Sequence, residues 1–355
     1  MKRRLVIPTL QLQISLWHPY IKSIPRFLPS CNPTFFMRRK LTTMTTHLTP
    51  GLHTFTTPTQ PSFTLSYTIS TPANPSNPED LIVVSPPAWG LPPSYLSGLA
   101  PLTSSGHTLL LFHHRGTPLS TLPAYNPDDE PEQEESIMSP FTLATDLEHL
   151  RTHLGLSHLP TLLGHSNGGT IALCYAELFP NRLRNLVLLD HRLLGVNDSS
   201  NFLRFYHARH GDARYEDAYR AYFTKRDVED DDEKFAAWWK RILPLYFFAP
   251  ERHVPGFVEL LGEKLFNARC SRHVDIANKS PYVQCMVRER LNDVSARTLM
   301  LFGREDAQCS VINAEETKKG IPHAETVILD ECGHFPWIEQ PEQTFGAIEQ
   351  FLRGG

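Results

Sequence analysis

A serine between two glycines, in Gly164-His165-Ser166-Asn167-Gly168, is the group in this chain best placed to act as a nucleophile. A serine hydroxyl attacks a carbonyl only if a neighbouring base takes its proton, and the base needs an acid to fix its tautomer. His334 offers the base, in Glu331-Cys332-Gly333-His334-Phe335-Pro336-Trp337, where Gly333 permits a tight turn. Asp306 offers the acid, 28 residues earlier, in Phe302-Gly303-Arg304-Glu305-Asp306. Serine, acid and histidine follow one another in the order that such a trio takes on a doubly wound sheet. Glu305 would project elsewhere from the same turn, and Asp190, which ends the apolar run 185–189, is the alternative acid.

Attack on a carbonyl places charge on its oxygen, and two backbone N–H groups must be aimed at that charge. Asn167, directly after the serine, offers one. The segment Ser85-Pro86-Pro87-Ala88-Trp89-Gly90 offers the other. Proline has no N–H, so Ala88 is the first candidate there and Trp89 the second.

These groups need a frame. Gly164 and Gly168 keep side chains out of a turn that passes at once from an apolar run into an Ala/Leu-rich helix, which is the form of a nucleophile elbow. Alternating patterns at 52–57 and 63–70 predict two strands. Continuous apolar runs at 81–84, 108–112, 161–163, 185–189 and 298–302, with 325–329, predict six more, buried on both faces as in a parallel sheet. Helical spacing at 141–154, 169–179 and 345–351 completes a strand–helix alternation. The expectation is an α/β fold with a doubly wound, mostly parallel eight-stranded sheet.

The alternation lapses between 195 and 294, where only helical patterns occur, at 215–225, 233–248 and 256–266. Phe235, Trp238, Trp239 and Ile242 form an apolar stripe in the second of these. A helical lid inserted into a core of 44–194 and 295–355 accounts for both facts. Acids of the lid, such as the run 229–233, are expected to face solvent, as is the acidic loop 128–135. The lid aromatics, with Trp89 and Trp337, suggest an apolar or aromatic acyl pocket for a small molecule.

Composition narrows the partners. The net charge is −4, yet residues 1–43 hold eight Lys/Arg and no acid, which leaves −12 for the rest. An acidic body suits nucleic acid poorly. No run reaches the roughly 18 apolar residues of a membrane span. The six cysteines, Cys31, Cys174, Cys270, Cys285, Cys309 and Cys332, show neither metal-ligand spacing nor a disulfide framework. Their scatter favours a reducing, intracellular and cytoplasmic setting. The basic segment 1–43 is compatible with a mitochondrial transit peptide, but it reads first as an unstructured tail or an upstream start, with Met44 a natural alternative. Oligomeric state leaves no trace in these patterns.

At Gly164–Gly169, Arg115-Gly116, Gly303–Asp306 and Gly333-His334 the chain resembles the α/β-hydrolase superfamily, in its lid-bearing, proline-iminopeptidase-like branch. The resemblance covers residues 51 to 353. It implies serine hydrolysis of an ester, amide or lactone through an acyl-enzyme, with no metal and no organic cofactor. The Ser85–Gly90 loop and the Asp190-His191 ending look most like fungal relatives, some of which act on secondary metabolites. The chain also departs from the branch. Gly-His-Ser-Asn-Gly stands where true proline iminopeptidases tend to have Gly-Gly-Ser-Trp-Gly, and Pro86-Pro87-Ala88-Trp89-Gly90 replaces their His-Gly-Gly-Pro-Gly loop. The departures speak against peptidase specificity, and the lid aromatics with solvent-facing lid acids point to a bulky, neutral, apolar ester or lactone. A proline iminopeptidase is the first alternative. A non-catalytic small-ligand receptor on the same fold is the alternative of another class.

Overall fold

The computed structural model describes residues 47–72, 77–121, 137–224, 231–262 and 266–354. The segment 1–43 with Met44, the acidic loop 128–135 and the first half of the 229–233 run lie outside the described residues. Eight strands form one sheet. They are β1 (Gly51–Thr56), β2 (Thr64–Ser70), β3 (Leu81–Ser85), β4 (Thr108–His113), β5 (Leu159–His165), β6 (Leu183–Leu189), β7 (Arg297–Gly303) and β8 (Glu325–Leu329). Their spatial order is β1-β2-β4-β3-β5-β6-β7-β8. The β1–β2 and β2–β4 pairs are antiparallel and the rest are parallel.

Every residue of β3 and β5 is buried, as their continuous apolar runs demand. Alternate residues serve opposite layers. Val83, Leu162 and Leu186 face one apolar cluster, while Ile82, Val84 and Leu163 face the other. Helices α1 (Pro140–His153) and α2 (Asn167–Leu178) pack on the first side through Leu143, Leu147 and Ile171. Strand β3 lies between β4 and β5, so the chain winds outward in both directions from it. The crevice at such a switch point is where open α/β sheets bind ligands.

Among the described residues, six α-helices lie between β6 and β7: α3 (Ser199–Arg209), α4 (Glu216–Phe223), α5 (Asp232–Ile242), α6 (Pro250–Leu261), α7 (Ala268–Lys279) and α8 (Pro281–Glu289). Helix α5 shows why the local sequence is helical. Asp231 caps it by accepting the Lys234 N–H at 2.9 Å, acids fill its first turn, and Lys240 and Arg241 its last. Phe235, Trp239 and Ile242 bury its apolar stripe. The helix expected over 233–248 stops at Ile242 and gives way to a 3-10 turn at Leu243–Tyr246. Pro244 explains the break, since it lacks the N–H that would continue the helical hydrogen-bond ladder. The helix expected over 256–266 instead runs from Pro250 to Leu261 and ends at Gly262, whose φ is +63°. Helices α9 (Val311–Gly320) and α10 (Pro341–Arg353) complete the fold, with Ile348 and Phe351 of α10 on the second side of the sheet. Among the described residues no helix is long and apolar enough to cross a membrane.

A buried acid stands among the apolar residues of the core. Glu177 of α2 is buried, and neither carboxylate oxygen has a hydrogen-bond partner among the described residues. Burial pushes its carboxyl up to about 9, so the native protein holds it protonated at neutral pH. An unfolded chain ionises the same group near the ordinary value of 4.5. The native state therefore binds the extra proton, and this contribution to stability is lost as pH rises from about 4.5 through about 9. Glu177→Gln keeps a neutral side chain of the same shape. It should raise the melting temperature at pH 8, by an effect on the order of a few kcal/mol, and much less at pH 5. Equal gains in thermal melts at the two pH values would rule out this linkage.

Candidate active site

The elbow follows from steric necessity. A Cβ on Gly164 would run into the Gly168 carbonyl, and one on Gly168 into the carbonyl of Ser85. Ser166 itself sits at φ +56° and ψ −125°, a conformation that side chains rarely tolerate. Its backbone is fixed on both sides. The N–H donates to Leu189 O at 3.0 Å, and its carbonyl accepts from Gly169 and Arg192 N–H at 3.0 and 3.1 Å. Three other non-glycine residues have positive φ: Ala88, Asp190 and Glu331. They follow β3, β6 and β8 as Ser166 follows β5, so the backbone strain among the described residues gathers at the C-terminal ends of the parallel strands.

Asp306 and His334 come together at that rim. His334 Nδ1 lies 2.7 Å from Asp306 Oδ2, with both residues buried. Asp306 Oδ1 accepts the Gln308 N–H at 2.7 Å, which fixes the carboxylate plane. The His334 N–H donates to Tyr246 O at 2.7 Å. Gly333 has no room for a side chain beside Tyr246 O, and its N–H donates to Glu339 Oε1 at 2.8 Å. The other Glu339 oxygen accepts from Phe248 N–H at 2.8 Å, so one buried carboxylate ties the histidine loop to the segment after α5. Ser166 and His334 line a common cavity of about 430 Å³. No hydrogen bond joins them among the described residues; such contacts often close only when substrate is bound.

The other two acids have different duties. Glu305 accepts the Cys332 N–H at 3.0 Å and so braces the histidine loop rather than the imidazole. Asp190 is fully buried and accepts the Gly303 N–H at 2.9 Å. Burial, with the Asp306 carboxylate beside it, pushes Asp190 well above the usual carboxylate range and so favours its protonated form.

Of the residues expected to meet an oxyanion, Asn167 opens α2 and Trp89 lines the cavity. Ala88 is buried at φ +55°, and its carbonyl accepts from the Cys270 thiol at 3.2 Å. The Asn167 side chain spans two elements. Its amide donates to Pro87 O at 2.7 Å, and its Oδ1 accepts from Asn278 of α7 at 2.8 Å.

A second histidine touches the first. His165 Nε2–H donates to His334 O at 2.9 Å, which leaves Nδ1 to accept the Tyr95 hydroxyl at 2.9 Å. Burial and the neighbouring His334 push His165 well below the usual histidine range. With both ring nitrogens occupied, it acts as a neutral strut.

The cavity wall is strongly aromatic, with Trp89, Tyr222, Trp238, Trp239, Tyr246 and Phe257 among its residues. It also carries Arg192, Asp275, Asn278, Gln308 and Cys309. Nothing in the sequence signals these five, because their orientation is decided by how the inserted helices and the turns after β6 and β7 pack. Asp275 corrects the expectation that the acids of 195–294 all face solvent. It lies on α7 at the cavity wall and accepts the Trp89 indole N–H at 2.8 Å. Cys309 likewise qualifies the reading of the cysteines. Spacing along the chain hides that Asp306, Cys309 and His334 each place a donor atom within 4.8 Å of the others.

A family model of the alpha/beta hydrolase fold matches residues 90–341. The chain belongs to that family, and it is a hydrolase by class. Among curated relatives it is 25% identical over 284 residues to the pimeloyl-(acyl-carrier protein) methyl ester esterase of Aromatoleum aromaticum, covering 78% of this chain and 100% of that one. The chain spans about half the length of several other curated relatives that it matches. Two solved structures share the fold. Est816, described as an N-acyl homoserine lactone degrading enzyme, superposes with a TM-score of 0.57 at 18% identity, over 84% of this chain and 100% of its own. The proline iminopeptidase of Mycobacterium smegmatis gives 0.57 at 18% identity, over 85% and 98%.

Proposed function

We propose that the protein cleaves an ester or lactone of a bulky, neutral, largely apolar small molecule through an acyl-enzyme. Ser166 is the nucleophile, His334 the general base and Asp306 the acid that orients it. The observation that carries this reading is a strained serine facing the same cavity as a buried, hydrogen-bonded Asp306–His334 pair. His334 takes the Ser166 proton through Nε2 while Asp306 holds Nδ1–H, and the imidazolium then protonates the leaving oxygen. The tetrahedral oxyanion is met by the Asn167 N–H and that of Ala88 or Trp89, beside the positive end of α2. A water activated by the same histidine releases the acid. The segment 195–294 serves as a lid whose aromatic rings exclude water and hold the acyl group.

One observation favours a second reading. Asp275 is an acid on the cavity wall, where an iminopeptidase would need a carboxylate for the substrate's ammonium group. Its bond to Trp89, together with its further interactions, argues that it positions the oxyanion loop instead. Turnover of p-nitrophenyl esters of increasing acyl size, beside proline p-nitroanilide, separates the two. The ester reading expects rates that rise with apolar acyl size and little anilide cleavage. Fast release from the prolyl anilide with poor ester turnover would establish the peptidase.

A further inference from the structure

We infer that Asp306, Cys309 and His334 form a binding site for a borderline-soft divalent cation such as Zn²⁺ or Cd²⁺. Their three donor atoms lie within 4.8 Å of one another, and all three residues are buried. Zinc held by carboxylate oxygen, thiolate sulfur and imidazole nitrogen at about 2.0–2.3 Å needs donors roughly 3.5 Å apart. Each side chain is therefore within about an ångström of a place in such a shell. The Asp306 carboxylate is fixed through Oδ1 by Gln308 N–H, and the loop that carries the His334 ring is held by the bond from the His334 backbone N–H to Tyr246 O. Ser310, directly after Cys309, donates its N–H to Asp198 at 2.8 Å, so the thiol is carried on a braced turn. Cys309 and His334 line the cavity, which gives a cation a way in and leaves its fourth position open to water.

A buried thiol is ordinarily a small hydrophobe. Cys174 and Cys270 fit that description, and Cys309 is set apart by the carboxylate and imidazole beside it. Burial, with Asp306 as neighbour, holds the Cys309 thiol well above its usual range, so the metal-free site keeps its proton. Binding of M²⁺ releases that proton to solvent. The product joins one divalent cation to one thiolate, one carboxylate and one neutral imidazole, and is uncharged. A neutral complex suits a buried site far better than a lone ion does.

Binding also removes the base, a consequence that rests on the role proposed for His334. Coordination at Nδ1 moves the ring proton to Nε2, and coordination at Nε2 occupies the lone pair directly. Either way no nitrogen remains to take the Ser166 proton. The metal would act as a reversible brake on the hydrolase.

The test separates binding from inhibition. Co²⁺ is titrated into the full-length wild type, Cys309→Ala and Cys309→Ser, and thiolate-to-cobalt charge-transfer absorption is followed. The site predicts a band in the wild type that Zn²⁺ displaces, and no band in either variant. A wild type without the band, or a band that survives in both variants, overturns the site. In parallel, the Zn²⁺ concentration that halves ester turnover should rise more than about 10-fold in both variants, a loss that even an outer-shell partner of a metal can cause. Equal sensitivity in all three proteins also overturns it. A cobalt-loaded wild type with undiminished turnover would leave the metal site standing and remove His334 as the base.

Discussion

Ser166→Ala is expected to lower ester turnover by about 10⁶-fold, the loss that follows removal of a triad serine in a serine protease. A fluorophosphonate probe, which reports an activated serine, should label the wild type and leave the variant unlabelled. Alanine inherits the strained backbone at φ +56°, so a second variant guards against a folding artefact. Ser166→Gly removes the same hydroxyl and relieves a left-handed conformation that costs an L-residue roughly 1–2 kcal/mol. It should be equally inactive and should melt at a higher temperature than Ser166→Ala. Labelling that persists in both proteins would take the nucleophile away from Ser166.

The two buried acids should respond very unequally to the same change. Asp306→Asn places an amide against His334 Nδ1, where the amide N–H favours the imidazole tautomer with its proton on Nε2. That is the wrong form for a base, and in a serine protease the equivalent loss is on the order of 10⁴ in kcat. Burial and Asp306 favour the protonated form of Asp190, for which an amide is a close match. Its Oδ1 can go on accepting the Gly303 N–H. Asp190→Asn should therefore cost less than about 10-fold, in line with a lost or altered neutral contact. Steady-state kinetics with thermal melts on both variants decide the matter. A large loss at Asp190 beside a mild one at Asp306 transfers the orienting role.

What was legible along the chain was whatever depends on neighbours in sequence. The runs at 81–84 and 161–163 announce strands buried on both faces, and the structure places β3 and β5 there, side by side at the switch point. The elbow is readable because its glycines answer clashes within a few residues and with one adjoining loop. His334 is readable because a glycine turn follows the last apolar run. Asp275 and Asn278 were not legible, because a polar residue on an amphipathic helix gives no sign of whether water or a cavity lies opposite, and Arg192 sits in irregular chain after β6, where no period assigns it a face. The Asn167–Asn278 bond joins positions 111 apart, and no local pattern encodes it. The helix break before Pro244 could have been read and was masked by the strength of the aromatic stripe. Cys309 belongs to a middle case: its distance from Asp306 was visible, and the arrival of His334 beside them was not.

The placement of His334 after β8 has a bearing on how the protein matures. Strand β8 is the last in the sheet, pairs only with β7 and is half exposed along its length. The elbow, by contrast, is built from β5, β3 and β6 near the middle, which come together earlier in chain order. A newly made chain can thus assemble its serine turn while the imidazole is still undocked. Recovery of turnover after refolding should then lag recovery of core fluorescence, and the enzyme's own product would serve as the clock for the closing of its sheet edge.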